Sequence, residues 1–324
     1  MSRNALALGR AVCATVVCVS LVSAASAVTI ETVPVGNVGN ATDSNGYGEV
    51  VYDYRIATYE VTAGQYAEFL NAVAAADPYG LYNTSMATSS RRCGIDRSGA
   101  SGSYTYSIAS DWADRPVNYV GWGDAVRFAN WLHNGQPTGA QDLTTTEDGA
   151  YYLNGATSDA DLLAVTREAD WLWAIPSEDE WYKAAYHKKD DGLAGTYFDY
   201  ATGSDTDPSN ALVDPDPGNN ATYNDGMYTI GSPYYRTEVG AHENSASPYG
   251  TFDQSGNVWE WNESGRRGGG YTDAARFMRP TSRYDNVPNY EKSSTGFRVA
   301  TIPEPGSMAL LALGGLALLR KRRG

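Results

Sequence analysis

Asp253 and Glu260 flank a Ser255-Gly256 turn that can aim the carbonyls of Gly256 and Val258 inward. Calcium takes about six to eight oxygens, typically carboxylates mixed with backbone carbonyls, so this loop is a candidate cation site. The same residues also read as a strand, with Trp259 and Trp261 facing the core and Val258 and Glu260 facing out. A second concentration of chemistry runs from Arg266 to Tyr284, where Arg266, Arg267, Arg276, Arg279 and Arg283 gather positive charge in an acidic chain. Tyr271, Phe277 and Tyr284 interleave with them. Guanidinium planes beside aromatic faces suit carboxylates, sulfates or sugar rings. Internal pairing of these arginines with Asp273, Asp285 or Glu291 is the competing reading, since structural ion pairs are common.

Other residue types leave weaker traces. His133, His187 and His242 lack partners at metal-ligand spacing and read as helix-end or surface histidines. Ser255 sits in Gln-Ser-Gly rather than a nucleophile elbow, so hydrolase chemistry has no support. Glu178, Asp179 and Glu180 form an acidic first helical turn, which the macrodipole favours without any catalytic duty.

The elements that must position these groups are few. Val50 to Ile56 reads as a strand. Thr62 and Gln65 form a capping box, with Tyr66, Phe69, Leu70 and Val73 as the apolar stripe of the helix that follows. The residues from Ala74 to Trp112 lack periodicity and read as long surface loops. A second helix is predicted from Gly123 to His133, stopped by Asn134-Gly135, and a third opens at Ser177 with Glu180 closing its box. Asp190 to Asp225 is rich in Asp, Asn, Gly and Pro and reads as loop. The fold class is therefore α+β, irregular and mixed, with few helices, short strands and long loops.

Both ends carry targeting signals. Arg3 and Arg10 precede an apolar run to Val22, and Ala25-Ser26-Ala27 suits a signal peptidase, which predicts a signal peptide over residues 1–27 and a body over 28–301. Pro303-Glu304-Pro305 precedes an apolar run from Met308 to Leu319 and then Arg320-Lys321-Arg322-Arg323, so the 302–324 segment resembles a PEP-CTERM sorting and anchor signal. That run reaches only about 18 Å at helical rise, against a hydrocarbon core of roughly 30 Å. It suits a transient tether whose basic end stays on the cytoplasmic side while a sorting peptidase processes the tail. An ordinary tail anchor is the alternative. The expected location is the cell surface or extracellular matrix.

Cys93 is the one thiol of the predicted mature body, so an intramolecular disulfide is excluded. The whole chain has a formal charge of −14, and the body alone has 18 Lys plus Arg against 37 Asp plus Glu, or about −19. Such a surface repels nucleic acid.

Six segments follow one another in a specific order: Tyr59-Glu60-Val61-Thr62, Arg115 to Trp122, Thr146 to Tyr151, Leu172 to Trp181, Ser247 to Gly250 and Gly256 to Trp261, with Gly296-Phe297-Arg298 closing the series. The set resembles the sulfatase-modifying-factor family of formylglycine-generating enzymes, across nearly the whole body. The resemblance implies an irregular fold related in outline to C-type lectins. It implies calcium bound by Asp253, Gly256, Val258 and Glu260, and a second calcium site at Asn220, Ala221, Asp225 and Met227, with Asn210 and Ala211 as a rival start and a solvated loop as the plain reading. It places the substrate groove along Arg267, Tyr271, Asp273, Arg276, Met278, Arg279 and Arg283.

In one respect the chain departs from the family. The family's paired copper-binding cysteines fall at Asp273 and Met278, and carboxylate with thioether does not replace a thiolate pair for copper(I). Copper and cysteine oxidation are therefore not expected, and no catalytic residue is assigned. The preferred expectation is an exported, calcium-stabilised binding scaffold for glycan, peptide or matrix polymer. A sulfatase-maturation-type oxidoreductase, or a divergent enzyme of that family, is the alternative. Iron-dependent sulfoxide-forming relatives are set aside, because their histidine-rich iron domain has no counterpart here.

Overall fold

The computed structural model describes residues 27–285 and 287–302. The signal peptide and the sorting tail thus lie almost wholly outside the described residues. The chain runs through strands β1 (Thr32–Val35) and β2 (Tyr54–Ala57), helices α1 (Ala63–Val73) and α2 (Ser85–Thr88), strands β3 (Ile95–Ser98) and β4 (Thr105–Ile108), and helices α3 (Ser110–Ala113), α4 (Trp122–His133) and α5 (Asp159–Leu163). It continues through β5 (Trp173–Ala174), α6 (Glu178–Tyr186), β6 (Trp259–Asn262), β7 (Gly265–Arg267), β8 (Tyr284–Asp285), β9 (Thr295–Phe297) and β10 (Ala300–Thr301). This is the irregular α+β architecture that the sequence implies.

One sheet runs β1-β2-β10-β5, all antiparallel, so strands from both ends of the body close on each other. A second four-stranded sheet runs β8-β7-β6-β9, with β6 and β9 parallel, and β3-β4 is a separate two-stranded pair. Local chemistry sets the helices that pack against them. Thr62 Oγ1 accepts from the Gln65 amide at 3.2 Å, and Gln65 Oε1 accepts from the Thr62 amide at 2.9 Å. Ser177 and Glu180 close the same box on α6. Each cap typically contributes about 1 kcal/mol. The stripe of α1 buries Tyr66, Phe69, Leu70 and Val73. Phe128 of α4 meets Phe69 at 5.3 Å and Phe297 of β9 at 5.4 Å between ring centroids, joining both helices to the second sheet. Burying each such ring stabilises by about 1.5–3 kcal/mol.

Three segments differ from expectation. The strand predicted from Val50 begins only at Tyr54, because the Asn40 side chain takes the Val50 amide and the Gly39 amide takes its carbonyl, leaving Val51 and Tyr52 exposed. The segment from Ala74 to Trp112 is not all loop. It holds the β3-β4 hairpin and the single turns α2 and most of α3, too short to show a period. His187 does stand at a helix end, as the C-cap of α6, but is buried 2.9 Å from the Tyr249 hydroxyl, whereas His242 is at neither a helix end nor the surface and lies buried 3.1 Å from the Thr222 hydroxyl.

Candidate functional site

The loop before β6 is shaped by backbone conformations that few side chains tolerate. Asp253, Gly256 and Asn257 all have positive φ. A Cβ at Gly256 would stand 2.4 Å from the Thr222 carbonyl oxygen, so only glycine fits there. The turn carries Asp253 and Glu260 into the protein interior. Asp253 Oδ2 accepts from the Gly240 amide at 2.6 Å. Burial pushes the Asp253 carboxyl up to about 6, against the pull of the Gly240 N–H and the Arg298 guanidinium.

Glu260 is fully buried and held from three directions. Arg298 donates from Nε to Oε2 at 2.5 Å and from Nη2 to Oε1 at 2.7 Å, and the Trp181 indole donates to Oε2 at 2.7 Å. A guanidinium therefore occupies the place where a calcium ion would have to accept these oxygens. Beside the pair lies Glu60, also buried, with neither carboxylate oxygen hydrogen-bonded. Burial first, then the charges of Asp253 and Glu260, push its pKa well up. No group of three or more His, Cys, Asp or Glu is set to hold a metal among the described residues. The donor set at Asp253, Gly256, Val258 and Glu260 does not fit calcium in this arrangement. It forms a buried Arg298–Glu260 pair, and Glu260 does not face outward as the strand reading had it.

At the second expected site, Asn220 turns its amide to Asp216 Oδ1 at 2.6 Å and Ala221 is buried in an apolar cluster with Tyr200, Tyr223 and Met278. Asn220 and Ala221 are thus structural. Instead Asn210 reaches the Met227 carbonyl at 2.9 Å, beside Asp225 on an exposed turn. Its hard oxygens, the Asp225 carboxylate and the Met227 carbonyl, are of the type calcium takes.

Asp273 and Met278 are both committed to packing. Asp273 Oδ2 accepts from the Trp259 indole at 2.8 Å and from the Gly270 amide at 3.2 Å, while burial raises its pKa. Met278 is fully buried, and its carbonyl accepts from the Tyr186 hydroxyl at 2.8 Å. A Cβ at Gly269 would stand 3.0 Å from Met278 Cγ, so the glycine-rich turn is fitted around the thioether.

The expected arginine groove is largely internal. Arg267 is buried, pairs with Glu178 at 2.6 Å and lies against the rings of Tyr47 and Tyr182. Arg283 shares Glu178 and also reaches Asp285, and Arg279 pairs with Asp207 and the Tyr200 hydroxyl. Arg266 is buried against Trp261 and Tyr290. Arg276 stays exposed over Phe277. The pairs of Arg267, Arg279 and Arg283, made with an acidic first helical turn and surface aspartates, take up three of the five charges expected to recognise a ligand.

Tyr271 turns inward, and its ring leads to residues the sequence reading missed. Arg91, Tyr228, Tyr235 and Arg236 surround it, with centroid distances of 6.0, 6.1, 5.9 and 5.8 Å. The Arg91-Arg92 and Tyr234-Tyr235-Arg236 runs inside aperiodic loops are the one trace they leave in the sequence.

A family profile described as a sulfatase-modifying factor enzyme 1-like domain matches residues 29–302, and a PEP-CTERM protein-sorting motif matches residues 301–323. No curated protein sequence matches the chain. Among solved structures, Treponema denticola variable protein 1 is similar with 19% identity and a TM-score of 0.53, covering 86% of this chain and 98% of that one. A structure titled CarF is similar with 20% identity and a TM-score of 0.51, covering 85% of this chain and 99% of that one. At such identities the likeness is one of fold.

Proposed function

The chain belongs to the family of sulfatase-modifying factor enzyme 1-like domains, and from that premise we propose that it is a non-catalytic member that works as a binding scaffold outside the cell. One observation carries this reading. At the two positions where the family resemblance puts a copper-binding thiol pair stand Asp273, bonded to the Trp259 indole, and Met278, buried in an apolar cluster. Soft copper(I) needs thiolates, and Cys93 alone cannot supply a pair.

The sorting motif supports export and association with the cell surface, and implies a peptidase that acts on the tail. No helix among the described residues is long and apolar enough to cross a membrane. The apolar run from Met308 to Leu319 would tether the protein until the peptidase acts. Calcium, where bound, would be held by the Asp225 carboxylate and the Met227 carbonyl, with Asn210 turning its amide oxygen toward them. It would supply cross-linking of an exposed loop rather than chemistry.

The reading is tested by mass spectrometry of a Cys-x-Pro-x-Arg peptide incubated with the purified full chain, copper, calcium and oxygen. An unchanged peptide, with the protein shown to be folded, is the expected result. Loss of the thiol with gain of an aldehyde would overturn the reading and restore the oxidoreductase alternative.

A further inference from the structure

We infer that the surface carrying Arg91, Arg92 and Arg115 binds a carboxylated sugar, an assignment that rests on the binding reading above and gives it a ligand class. A cavity of about 410 Å³ opens between Arg115 and Tyr234, with Leu212, Ile230 and Pro233 as apolar walls. Its size lies within the roughly 300–1,000 Å³ of small-molecule sites. The Arg115 guanidinium stands 3.9 Å over the Tyr234 ring and meets one carboxylate, that of the exposed Glu238, at 3.5 Å.

From this cavity a ladder of rings and cations leads through the buried Trp112 to the half-buried Arg92 and Arg91. The Tyr234 ring meets Trp112 at 4.9 Å, and Arg92 lies 5.1 Å over Trp112. Arg91 follows, 5.4 Å from Tyr235 and 5.8 Å from Tyr228, with Nη2 donating to the Tyr228 hydroxyl at 2.9 Å. Behind them Arg236 is fully buried. Its Nη groups reach the carbonyls of Arg91, Arg92 and Ser293, and its Nε has no partner. Burial holds its pKa below the ordinary arginine value. Among the described residues, no carboxylate lies within ion-pair distance of Arg91, Arg92 or Arg236.

Unmatched guanidinium groups in a chain of charge −14 mark where an anion is favoured. Carboxylate is among the anions, with phosphate and sulfate, that the planar fork of arginine grips in bidentate fashion, and the Tyr228 hydroxyl, which accepts from Arg91, keeps its proton to donate, whereas that of Tyr234 is given to Asp111. The apolar walls around Tyr234 add a second requirement: the ligand must also present a stiff C–H face. A uronic acid ring meets both conditions. An acidic peptide meets only the first.

The test is calorimetric titration of the full chain with a galacturonic acid trimer, a neutral galactose trimer and a triglutamate peptide. Saturable binding of the uronate alone is expected, weakening as salt rises because the contact is ionic. The double variant Arg91→Ala/Arg92→Ala should weaken it at least about tenfold, the scale of losing one good charged contact. Leu212→Asp, on the exposed cavity wall, should do the same without touching the core. No uronate binding, equal binding of the neutral trimer or the peptide, or undiminished binding by both variants, each with a native circular dichroism spectrum, would overturn the inference. An inert peptide in the mass-spectrometric test together with absent uronate binding would sink the ligand class alone and leave the scaffold reading standing.

Discussion

Arg298 and Glu260 form a two-bond ion pair with no solvent exposure, and the same guanidinium also donates to the carbonyls of Ala57, Thr58 and Phe252. One side chain from the strand end after β9 thus ties β2, the loop before β6 and β6 itself. Around it stand three buried carboxylates, Glu60, Asp253 and Glu260, so its charge is shared. Arg298→Met should therefore cost about 3–5 kcal/mol, since it strands uncompensated carboxylates. Glu260→Gln should cost less, about 1.5–3 kcal/mol, because Glu60 and Asp253 still face the cation. Urea unfolding of both variants checks this order, and equal losses would mean that shape rather than charge holds the junction.

Asp124 and Glu291 both stand beside Gly121, and both carboxyls are pushed up, chiefly by burial and for Asp124 next by the charge of Glu291. A carboxyl whose pKa is raised on folding contributes stability that is complete below its unfolded pKa and is lost as pH rises through the folded value. Stability should therefore fall as pH rises from about 4 toward neutrality. Glu291→Gln keeps the bond to Asn83 and removes one charge, so it should stabilise by on the order of 1 kcal/mol at pH 7 and by nothing near pH 4. Thermal unfolding across that range is the measurement. A constant gain at every pH would point to packing instead.

Gly256 and Gly226 both have positive φ, but a Cβ on Gly226 meets open space whereas one on Gly256 runs into the Thr222 backbone. Gly226→Ala should cost about 1–2 kcal/mol, the left-handed penalty alone. Gly256→Ala should cost at least about 2 kcal/mol more and displace Met278, whose sulfur lies 3.3 Å from the same Cβ position. Chemical denaturation of the two variants side by side separates conformational strain from collision.

The parts of this molecule that were legible in its sequence are the ones governed by neighbours along the chain. The boxes at Thr62 and Ser177 and the stripe of α1 each depend on contacts within about one helical turn. The site was not legible in that way. Arg267 finds Glu178 across 89 positions, and Arg279 finds Asp207 across 72, so much of an arginine-rich segment that looked like a ligand groove became structural pairs. The choice between Asn220 and Asn210 likewise turned on Asp216, which claims the first and is not suggested by spacing. Arg91 and Arg236 sit in loops without period, where no pattern announces that Tyr271 brings them together.

The two loops that the resemblance offers to calcium, one matched residue by residue and one with a rival start at Asn210, present their oxygens differently. The Glu260 oxygens are taken by a guanidinium and an indole, while Asp225 is exposed on a turn whose Met227 carbonyl accepts from the Asn210 side chain and the Asp225 amide, bonds that a cation there would replace. A cation that binds the native state alone stabilises it by about 2.7 kcal/mol at one hundred times its Kd. Adding calcium should therefore raise Tm, and a chelator should reverse the gain. Asp225→Ala should abolish that calcium-dependent increment and leave the chelated Tm almost unchanged, because its side chain is solvent-exposed. Glu260→Gln should lower Tm with and without calcium alike, keeping the increment intact. Differential scanning fluorimetry with and without chelator distinguishes these outcomes: an increment lost with Glu260→Gln and retained with Asp225→Ala would place the ion at the buried loop and require Arg298 to swing away.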